Sequence, residues 1–443
     1  MQKLSQTRNK AFPNKMNSHD RISNLPEVVL HNILSLMPMK PAIRTSILSR
    51  RWRYLWRSRS IYTLISDSAE ELVCSRSAEE FVDGVNRYIN LNQGKEVDTL
   101  QFFFYPGDQY ALDYERWIKF AIEGGVRELD LDFCHRYLPF ILIWGRPMED
   151  RKPFKLPSNL FSCDSLTHLN LSRCDLNLPS NFNGFRSLKV LHLQWVNIND
   201  DMLQSVLSKC SMLEKLSLIE CDDVTSINIS APDLHLNSLT VSNCYAGDLK
   251  IFAPNLQSLH FNADVNDYWF DNISSLVDAI VTAVGTNAYD FNYNRIKILS
   301  EIHHVKILTV CSMVLLLERH GDITSDEHVE MPMAGYVFDH LKMIKINNFC
   351  GCKDDLQLVE FFLEKAVVLE SLVLVAPKES IKNNIDDDST SQLETTEVPV
   401  RILREQLPLL SKASPNAQIV LYEYSEDDRS FHPTHTEVYY WMY

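Results

Sequence analysis

The chain has 443 residues, a length that suits about three domains. Of these residues 45% are hydrophobic, which is typical of globular proteins. Its net charge of −15 is unevenly spread, because residues 1–60 carry 12 Lys and Arg against two acidic residues. That leaves 31 basic and 56 acidic residues, a net of −25, in the remainder. An acidic body of this kind argues against nonspecific binding of nucleic acid.

The polar N-terminus argues against export. Residues 1–18 contain no apolar core, and no apolar run in the chain reaches the length of a membrane span. We therefore expect no secretory signal, no membrane partner and a location in the nucleus, the cytoplasm or both. Residues 1–18 are predicted to be a flexible basic tail. In such compartments the ten cysteines are expected to be free thiols.

Three short helices are predicted between residues 20 and 58. Leu25-Pro26 predicts the start of the first, because proline at the first helical position loses no intrahelical hydrogen bond. The second is predicted around Ala42–Leu48, and the third carries Trp52 among arginines. Fewer than 45 residues bury little core of their own, so the unit suits docking on a partner. The alternative is a three-helix unit packed on its own chain.

This segment, predicted to form a domain over residues 19–60, resembles an F-box. The resemblance rests on the Leu-Pro start, the Ile33-Leu34-Ser35 triplet, the stretch Leu48–Trp52 and the closing Leu55-Trp56. Val28 departs from the pattern, because many members carry an acid there. The resemblance implies two partners, a Skp-type adaptor and, through it, the cullin of a ubiquitin ligase. The residues expected to contact the adaptor are Leu25, Pro26, Leu30, Ile33, Leu34, Met37, Pro38 and Trp52.

A second pattern, L-x-x-L-x-L-x-x-C/N, recurs over residues 96–335. Clear copies begin at Val126, Leu166, Leu188, Leu213, Leu236 and Leu256, and weaker copies at Val97 and Val305. Equivalent leucines from Leu169 to Leu259 lie 20 to 25 residues apart, which is the period of leucine-rich repeats. Each copy predicts a short strand whose alternate leucines enter a common core, while successive strands pair in parallel. The predicted architecture is therefore α/β: an N-terminal three-helix unit, then a curved solenoid with a parallel sheet.

A cysteine closes four of these copies, and Asn197 stands one place late in another. A buried cysteine is a small apolar plug with a weak donor, so these residues are interpreted as structural. Zinc sites favour closely spaced cysteine pairs, so no metal site is predicted from the wide spacing here. The four are Cys134, Cys174, Cys221 and Cys244.

The residues between the leucines are predicted to line the concave face of the solenoid, where a protein target commonly binds. Simple solvation of the sheet is the alternative for any one of them. Copies from Leu188 onward lie farther from the F-box, and their side chains are expected to be exposed. The candidate target-binding residues are His192, Gln194, Lys215, Ser217, Thr240 and His260.

Two helices are predicted at the edges of the repeat region. Ala78–Leu91 has amphipathic helical spacing and lies in a segment, residues 61–95, predicted to be a helical linker. Within an insertion, Ile273, Leu276, Val277 and Ile280 are also spaced as on a helix, so a helix is expected there.

The section 336–443 has a different pattern and resembles the FBD domain that closes many plant F-box proteins. The matching pieces are LKMIKINNFCG, LVEFFLEKAVVLESLVL and ASPNAQIVLYEY. Acids at Asp354 and Asp355 suit a helix N-terminus, and Val400–Lys412 suggests a later helix. The acidic stretch 378–397 is predicted to be mobile. The four aromatics of residues 439–443 are expected to cover the domain.

No catalytic signature is present. The chain contains no G-x-G-x-x-G, P-loop, H-E-x-x-H or G-x-S-x-G motif. His432 and His435 have a metal-like spacing without a third ligand nearby, and Cys350-Gly351-Cys352 is interpreted as a turn. We expect no enzymatic activity, no cofactor and no metal. The leading hypothesis is a substrate-recognition subunit of a cullin-based ligase, and the alternative is a repeat scaffold that does not promote ubiquitination.

Overall fold

The structure is a computed structural model. It describes residues 22–37, 39–49, 51–53, 55, 61–65, 75–103, 108–133, 153–221, 223–230, 233–282, 298–299, 301–311, 337–376 and 400–423. The α-helices of this part of the chain are α1 (Glu27–Ser35), α2 (Met39–Arg44), α3 (Ser75–Leu91), α4 (Ala111–Glu123), α5 (Asp200–Lys209), α6 (Lys353–Lys365) and α7 (Val400–Gln406).

Strands follow one another along the chain as the repeat predicts. They are β1 (Ile61–Ile65), β2 (Thr99–Phe103), β3 (Glu128–Asp132), β4 (Phe154–Lys155), β5 (His168–Ser172), β6 (Cys174–Asp175), β7 (Val190–Gln194), β8 (Lys215–Ile219), β9 (Ser226–Ser230), β10 (Ser238–Phe252), β11 (Ser258–Asp271), β12 (Asp278–Val281), β13 (Ile307–Cys311), β14 (Met343–Asn347), β15 (Ser371–Val375) and β16 (Gln418–Tyr422). Strands β4 and β6 form a small sheet, and the others form one large parallel sheet in chain order, with β9 beside β10.

The large sheet confirms the predicted solenoid. Each template leucine pair falls on a strand and lies in one continuous core; Leu169 and Leu171, for example, pair with Leu191 and Leu193 of the next strand. The alternation of strands puts both leucines on the same side, so every repeat buries its apolar face against its neighbours. Truncating such a leucine to alanine costs about 2–5 kcal/mol in comparable cores.

A sharp turn follows the strand in several repeats. The residue directly after the strand has a positive φ in five of them: Arg173, Trp195, Glu220, Asn272 and Asn348. Asn243 has the same conformation at the register shift inside β10, and all six φ values lie between 49° and 56°. The left-handed conformation suits asparagine and is unusual for a bulky side chain. It swings the next residue inward to the core, so that the plug follows the turn.

The plug residues are buried free thiols, as predicted for three of the four cysteines. Cys174, Cys221 and Cys244 are at most 1% exposed. The Cys244 Sγ donates to the carbonyl oxygens of Ser242 (3.4 Å) and Leu218 (3.6 Å), which ties one repeat to the one before it. A hydrogen bond with Cys244, together with burial, raises the pKa of the Cys221 thiol well above its usual range. Asn197 is exposed, and Val196 is the plug of its repeat instead.

The convex side of the solenoid changes from helix to strand along the chain. Helix α5 covers the repeat of β7, and Asn199 caps it by accepting from the backbone N–H of Met202 at 2.9 Å. In the next repeats β9 and the second halves of β10 and β11 pair in parallel instead. We call this three-stranded surface the convex sheet; its strands are Ser226–Ser230, Asp248–Phe252 and Asp267–Asp271.

The prediction of a helix around Ile273–Ile280 is wrong. Strand β11 continues to Asp271, and β12 follows as another repeat whose template residues are Leu276, Ala279 and Val281. These three side chains are buried. Ala279 stands in place of the second leucine of the template, so the repeat pattern is weak here. The apolar residues around the turn happen to have the spacing of a helix.

The N-terminal helices differ slightly from the predicted bounds. Helix α1 begins at Glu27, and Pro26 precedes it as the extended N-cap residue. Helix α2 begins at Met39, so Pro41 lies in its first turn, where a missing N–H costs no hydrogen bond. A 3₁₀ turn, Thr45–Ile47, follows. The amphipathic helix predicted at Ala78–Leu91 is confirmed as α3, whereas strand β1 in the same expected linker was not predicted.

The C-terminal section adds β14, β15 and β16 to the same sheet. Asp355 lies in the first turn of α6 as expected and accepts from the backbone N–H groups of Cys350 (2.7 Å) and Gly351 (2.9 Å). Its carboxylate is buried, which raises its pKa above the ordinary value. Helix α7 ends at Gln406 rather than Lys412, and the chain tightens into a 3₁₀ turn that contains Pro408.

Several expectations fall outside the described residues. They concern the tail 1–18, Pro38, Cys134, Trp56, the acidic stretch 378–397, His432, His435 and the aromatic end 439–443.

Two glycines with positive φ provide a matched test of the close packing between repeats. A Cβ at Gly184 would collide with the backbone carbonyl of Lys209, whereas one at Gly125 would meet no atom within 4 Å. We expect Gly125→Ala to cost about 1–2 kcal/mol of backbone strain and Gly184→Ala measurably more, because backbone must also shift. Urea unfolding of both variants checks this; equal losses would contradict the packing.

Candidate partner-binding surfaces

The N-terminal unit has a core separate from that of the solenoid. Leu30, Leu34, Ala42 and Trp52 are at most 2% exposed and pack together. Three of the predicted adaptor contacts, Leu30, Leu34 and Trp52, therefore hold the unit itself together, and their side chains are not available to a partner. Leu25, Ile33 and Met37 are half-buried against this core, and Pro26 is exposed.

Ser23 joins the two ends of the unit. Its hydroxyl accepts from the Trp52 indole N–H at 3.0 Å and lies 3.1 Å from the Ser49 hydroxyl. Its carbonyl oxygen accepts from the Arg51 Nη1 at 2.5 Å. These bonds fix the depth at which Trp52 enters the core. Sequence reasoning missed Ser23, because a single serine before a helix carries no pattern that marks such a role.

Exposed apolar side chains concentrate on the same unit. Among the described residues, six of the fourteen exposed large apolar side chains lie in this short segment: Ile22, Val28, Val29, Leu36, Ile47 and Leu48. Leu36 and Ile47 are 87% and 86% exposed. Val29 and Leu36 are seven residues apart in α1 and its end, so they share a side distinct from the buried Leu30 and Leu34.

Exposed leucines, isoleucines and valines at this density are typical of an interaction surface. Full burial of one such side chain contributes about 1.5–3 kcal/mol. Arg44, Arg51 and Arg53 are exposed on the same unit, so it presents basic as well as apolar side chains. We call Val28, Val29, Leu36, Ile47 and Leu48 the apolar F-box surface.

The concave face is accessible over only part of its length. The residues between the leucines are partly or fully exposed at the first two positions of β3, β5, β7 and β8, as at His168, Asn170 and Val190. In β10 and β11 both positions are buried, as at Ser238 and Ser258, and in β12 to β15 the second position is buried while the first is half-buried. The third position is buried in the repeat strands β3, β5, β7, β8, β10 and β11, where the residues are Asp132, Ser172, Gln194, Ile219, Ser242 and Asn262.

The six candidate target-binding residues divide accordingly. His192, Lys215 and Ser217 are half-buried and border solvent. Gln194, Thr240 and His260 are at most 3% exposed, so the expectation that they are exposed is wrong. The period of the repeat fixes which side chains share a face, but it does not reveal which parts of that face the rest of the chain covers.

The acidic end of the concave face is on β3. Glu128 is exposed and accepts from the Thr99 hydroxyl at 3.2 Å, and Asp130 is half-buried beside it. Lys215 supplies a cation three strands along the sheet, on β8. The accessible strip therefore runs from negative to positive, with neutral hydrogen-bonding side chains between.

Within the described ranges, no group of three or more His, Cys, Asp or Glu side chains is placed to hold a metal ion. Nor does the same part of the chain contain a helix long and apolar enough to cross a membrane.

A small helical unit with its own core, joined to a parallel sheet with one strand per repeat, defines a leucine-rich-repeat protein with an N-terminal F-box. Family models agree: the F-box domain matches residues 22–64, and the At1g61320/AtMIF1 LRR domain matches residues 92–405. The second match includes β14 and β15, which continue the sheet into the section predicted as a C-terminal domain.

Similar proteins are known from Arabidopsis thaliana. The FBD-associated F-box protein At5g56370 is 30% identical over 80% of this chain and 75% of its own. The F-box/FBD/LRR-repeat protein At5g56420 is 29% identical over 75% of this chain and 71% of its own. For the F-box/FBD/LRR-repeat protein At1g13570 the values are 27%, 75% and 70%. The chain belongs to this plant family of F-box/FBD/LRR-repeat proteins.

Proposed function

We propose that the chain is the substrate-recognition subunit of a cullin-based ubiquitin ligase. F-box domains as a class bind Skp-type adaptors, and the apolar F-box surface is the observation that carries the proposal. Five exposed aliphatic side chains on a unit with four fully buried residues leave more apolar surface outside than a free-standing domain needs. An adaptor that buries them would stabilise the unit and link it to the cullin.

The mechanism is proximity. The F-box holds the chain on the ligase while the accessible strip of the concave face binds a target protein. Binding raises the effective concentration of the target's lysines at the transfer site, and the chain itself makes and breaks no covalent bond. The proposal places the protein in the nucleus, the cytoplasm or both, where a fluorescent fusion would locate it.

The second candidate is a repeat scaffold that binds partners without promoting ubiquitination. The accessible half of the concave face favours it as much as the ligase role, because that surface requires only a ligand. The two functions differ in what happens to the bound protein, and a measurement of its lifetime separates them.

The apolar F-box surface gives the first test. We expect Leu36→Ser with Ile47→Ser to lower the affinity for the adaptor at least about tenfold. Both side chains are exposed in the free chain and would be buried in the complex with the adaptor. Leu409→Ser is the matched control, since Leu409 is 84% exposed on the far section of the chain. Titration with purified adaptor checks the affinity, and thermal melting checks the fold.

Unchanged adaptor affinity in the Leu36/Ile47 variant, with wild-type melting, would show that the adaptor binds elsewhere. Leu25→Ala is a poorer probe, although Leu25 is a predicted contact residue. Leu25 packs against the core of the unit, so its loss combines lost contact with lost stability.

Deletion of residues 1–60 distinguishes the two proposed functions, the ligase subunit and the scaffold. Strand β1 begins at Ile61 and pairs with β2, so the truncation keeps the solenoid sheet complete at this end. We expect the truncated chain to retain its target and to lengthen the target's lifetime, because the target is held away from the ligase. A cycloheximide chase of the co-purified target measures this. A lifetime equal to that with the full chain would support the scaffold.

The accessible concave strip gives the third test. Lys215→Glu with Ser217→Glu should weaken target binding at least about fivefold and leave the melting temperature close to wild type, because both side chains border solvent. Thr240→Glu is the contrasting variant; Thr240 is 1% exposed, so a buried charge should lower the melting temperature. Full target capture by the Lys215/Ser217 variant would move recognition off this strip.

A further inference from the structure

The convex sheet carries an aromatic and charged patch that neither the F-box nor the concave face uses. Its strands alternate in burial: Ile227, Leu249 and Ile251 are at most 1% exposed and face the core. The residues between them face solvent. In register across the sheet, Asn228 pairs with Lys250, and Lys250 pairs with Trp269.

Trp269 is the centre of this patch. The Lys250 ammonium lies 4.8 Å from the centroid of the Trp269 ring, a cation–π contact, and the tryptophan remains 46% exposed. Phe252 is half-buried on the same face, two residues beyond Lys250. Tryptophan and arginine dominate the energetics of protein interfaces, so a tryptophan left open on a sheet face is an anchor for a partner.

The charges around the ring are mainly acidic. Asp271 follows Trp269 by two residues on the same face, and Asp248 precedes Lys250 by two. Lys250, the single cation among these residues, is already engaged with the ring. The body of the chain adds a net charge of −25 over residues 61–443. The local and the overall field therefore both favour a cationic ligand.

One kind of ligand suits both the exposed Trp269 ring and the acidic charge around it. We propose that the convex sheet binds an exposed arginine-bearing segment of a partner protein. A guanidinium stacks on the exposed part of the Trp269 ring, beside Lys250, and pairs with Asp271 or Asp248. Arginine fits better than lysine, because its planar guanidinium stacks on an aromatic face and forms bidentate bonds with a carboxylate.

This site is separate from the proposed target-binding strip. The first halves of β10 and β11 belong to the main sheet, beside β8 and β12, and their second halves form the convex sheet. At the other edge of the convex sheet, the Gln204 Nε2 donates to the carbonyl oxygen of Asn228 at 2.7 Å, which joins that strand to α5. A partner on the convex sheet thus leaves the concave face and the F-box free.

The test uses the full chain labelled with 5-fluorotryptophan. Its seven tryptophans give seven fluorine resonances, and the loss of one in Trp269→Phe assigns Trp269. Three synthetic peptides are titrated: Gly-Ser-Arg-Gly-Arg-Ser-Gly and the versions with lysine or glutamate in place of arginine. We expect the arginine peptide to shift the Trp269 resonance saturably, the lysine peptide to bind more weakly and the glutamate peptide to leave the resonance in place.

Charge variants complete the test. Asp248→Asn with Asp271→Asn should weaken binding of the arginine peptide about three- to tenfold, because both carboxylates that can pair with the guanidinium are removed. Asp339→Asn with Glu360→Gln, which removes two exposed acids from the C-terminal section, is the control and should bind the peptide as wild type does. The proposal would be overturned if the arginine peptide did not shift the Trp269 resonance, or if the glutamate peptide shifted it equally. A shift that depended on the concentration of the chain alone would also overturn it. So would an affinity unchanged by loss of both aspartates.

Discussion

The structure depends on one repeated backbone interaction at the start of each strand. The carbonyl oxygen of the residue after the first template position accepts two N–H groups from the next repeat, as when Asp98 accepts from Arg127 (2.9 Å) and Glu128 (3.0 Å). Thr167 accepts in the same way from Lys189 and Val190. The pattern recurs from β2 to β15 and sets the parallel register, which brings the leucines of successive repeats into one core. Exposed ion pairs such as Arg127–Asp98 follow this register and add little to its stability.

The chain presents three surfaces with different chemistry, two of which the register creates. The F-box unit stands apart with its own core and an apolar exterior, so it suits association by hydrophobic burial. The accessible concave strip is polar and graded in charge, which suits selection among targets more than tight anchoring. The convex sheet presents a single aromatic anchor inside an acidic surround. Because the strands are fixed to one another, the concave strip and the convex sheet hold constant positions along the solenoid, and ligands on these two surfaces need not compete.

Much of the fold could be predicted because leucine spacing is a strong local signal. Leu169 and Leu191 identify their strands by periodicity, and the Leu25-Pro26 start marks the F-box. The repeat with Ala279 was missed because a small residue satisfies the core without matching the template. Helices α4 and α5 were also missed, although Tyr114, Trp117, Ile118 and Ala121 have helical spacing. Burial at Thr240 and His260 depends on long-range packing, which no local pattern encodes.

The buried cysteines of the repeats can serve as probes of local opening of the solenoid. Cys174, Cys221 and Cys244 belong to different repeats, and each thiol is enclosed by its neighbours. A thiol that is at most 1% exposed can meet an alkylating reagent only when its repeat separates locally from the next. The thiol pKa of Cys221 is raised as well, so the thiolate that reacts is scarce even then. Differences in labelling rate along the chain would therefore map the local stability of individual repeats and show where the array opens first.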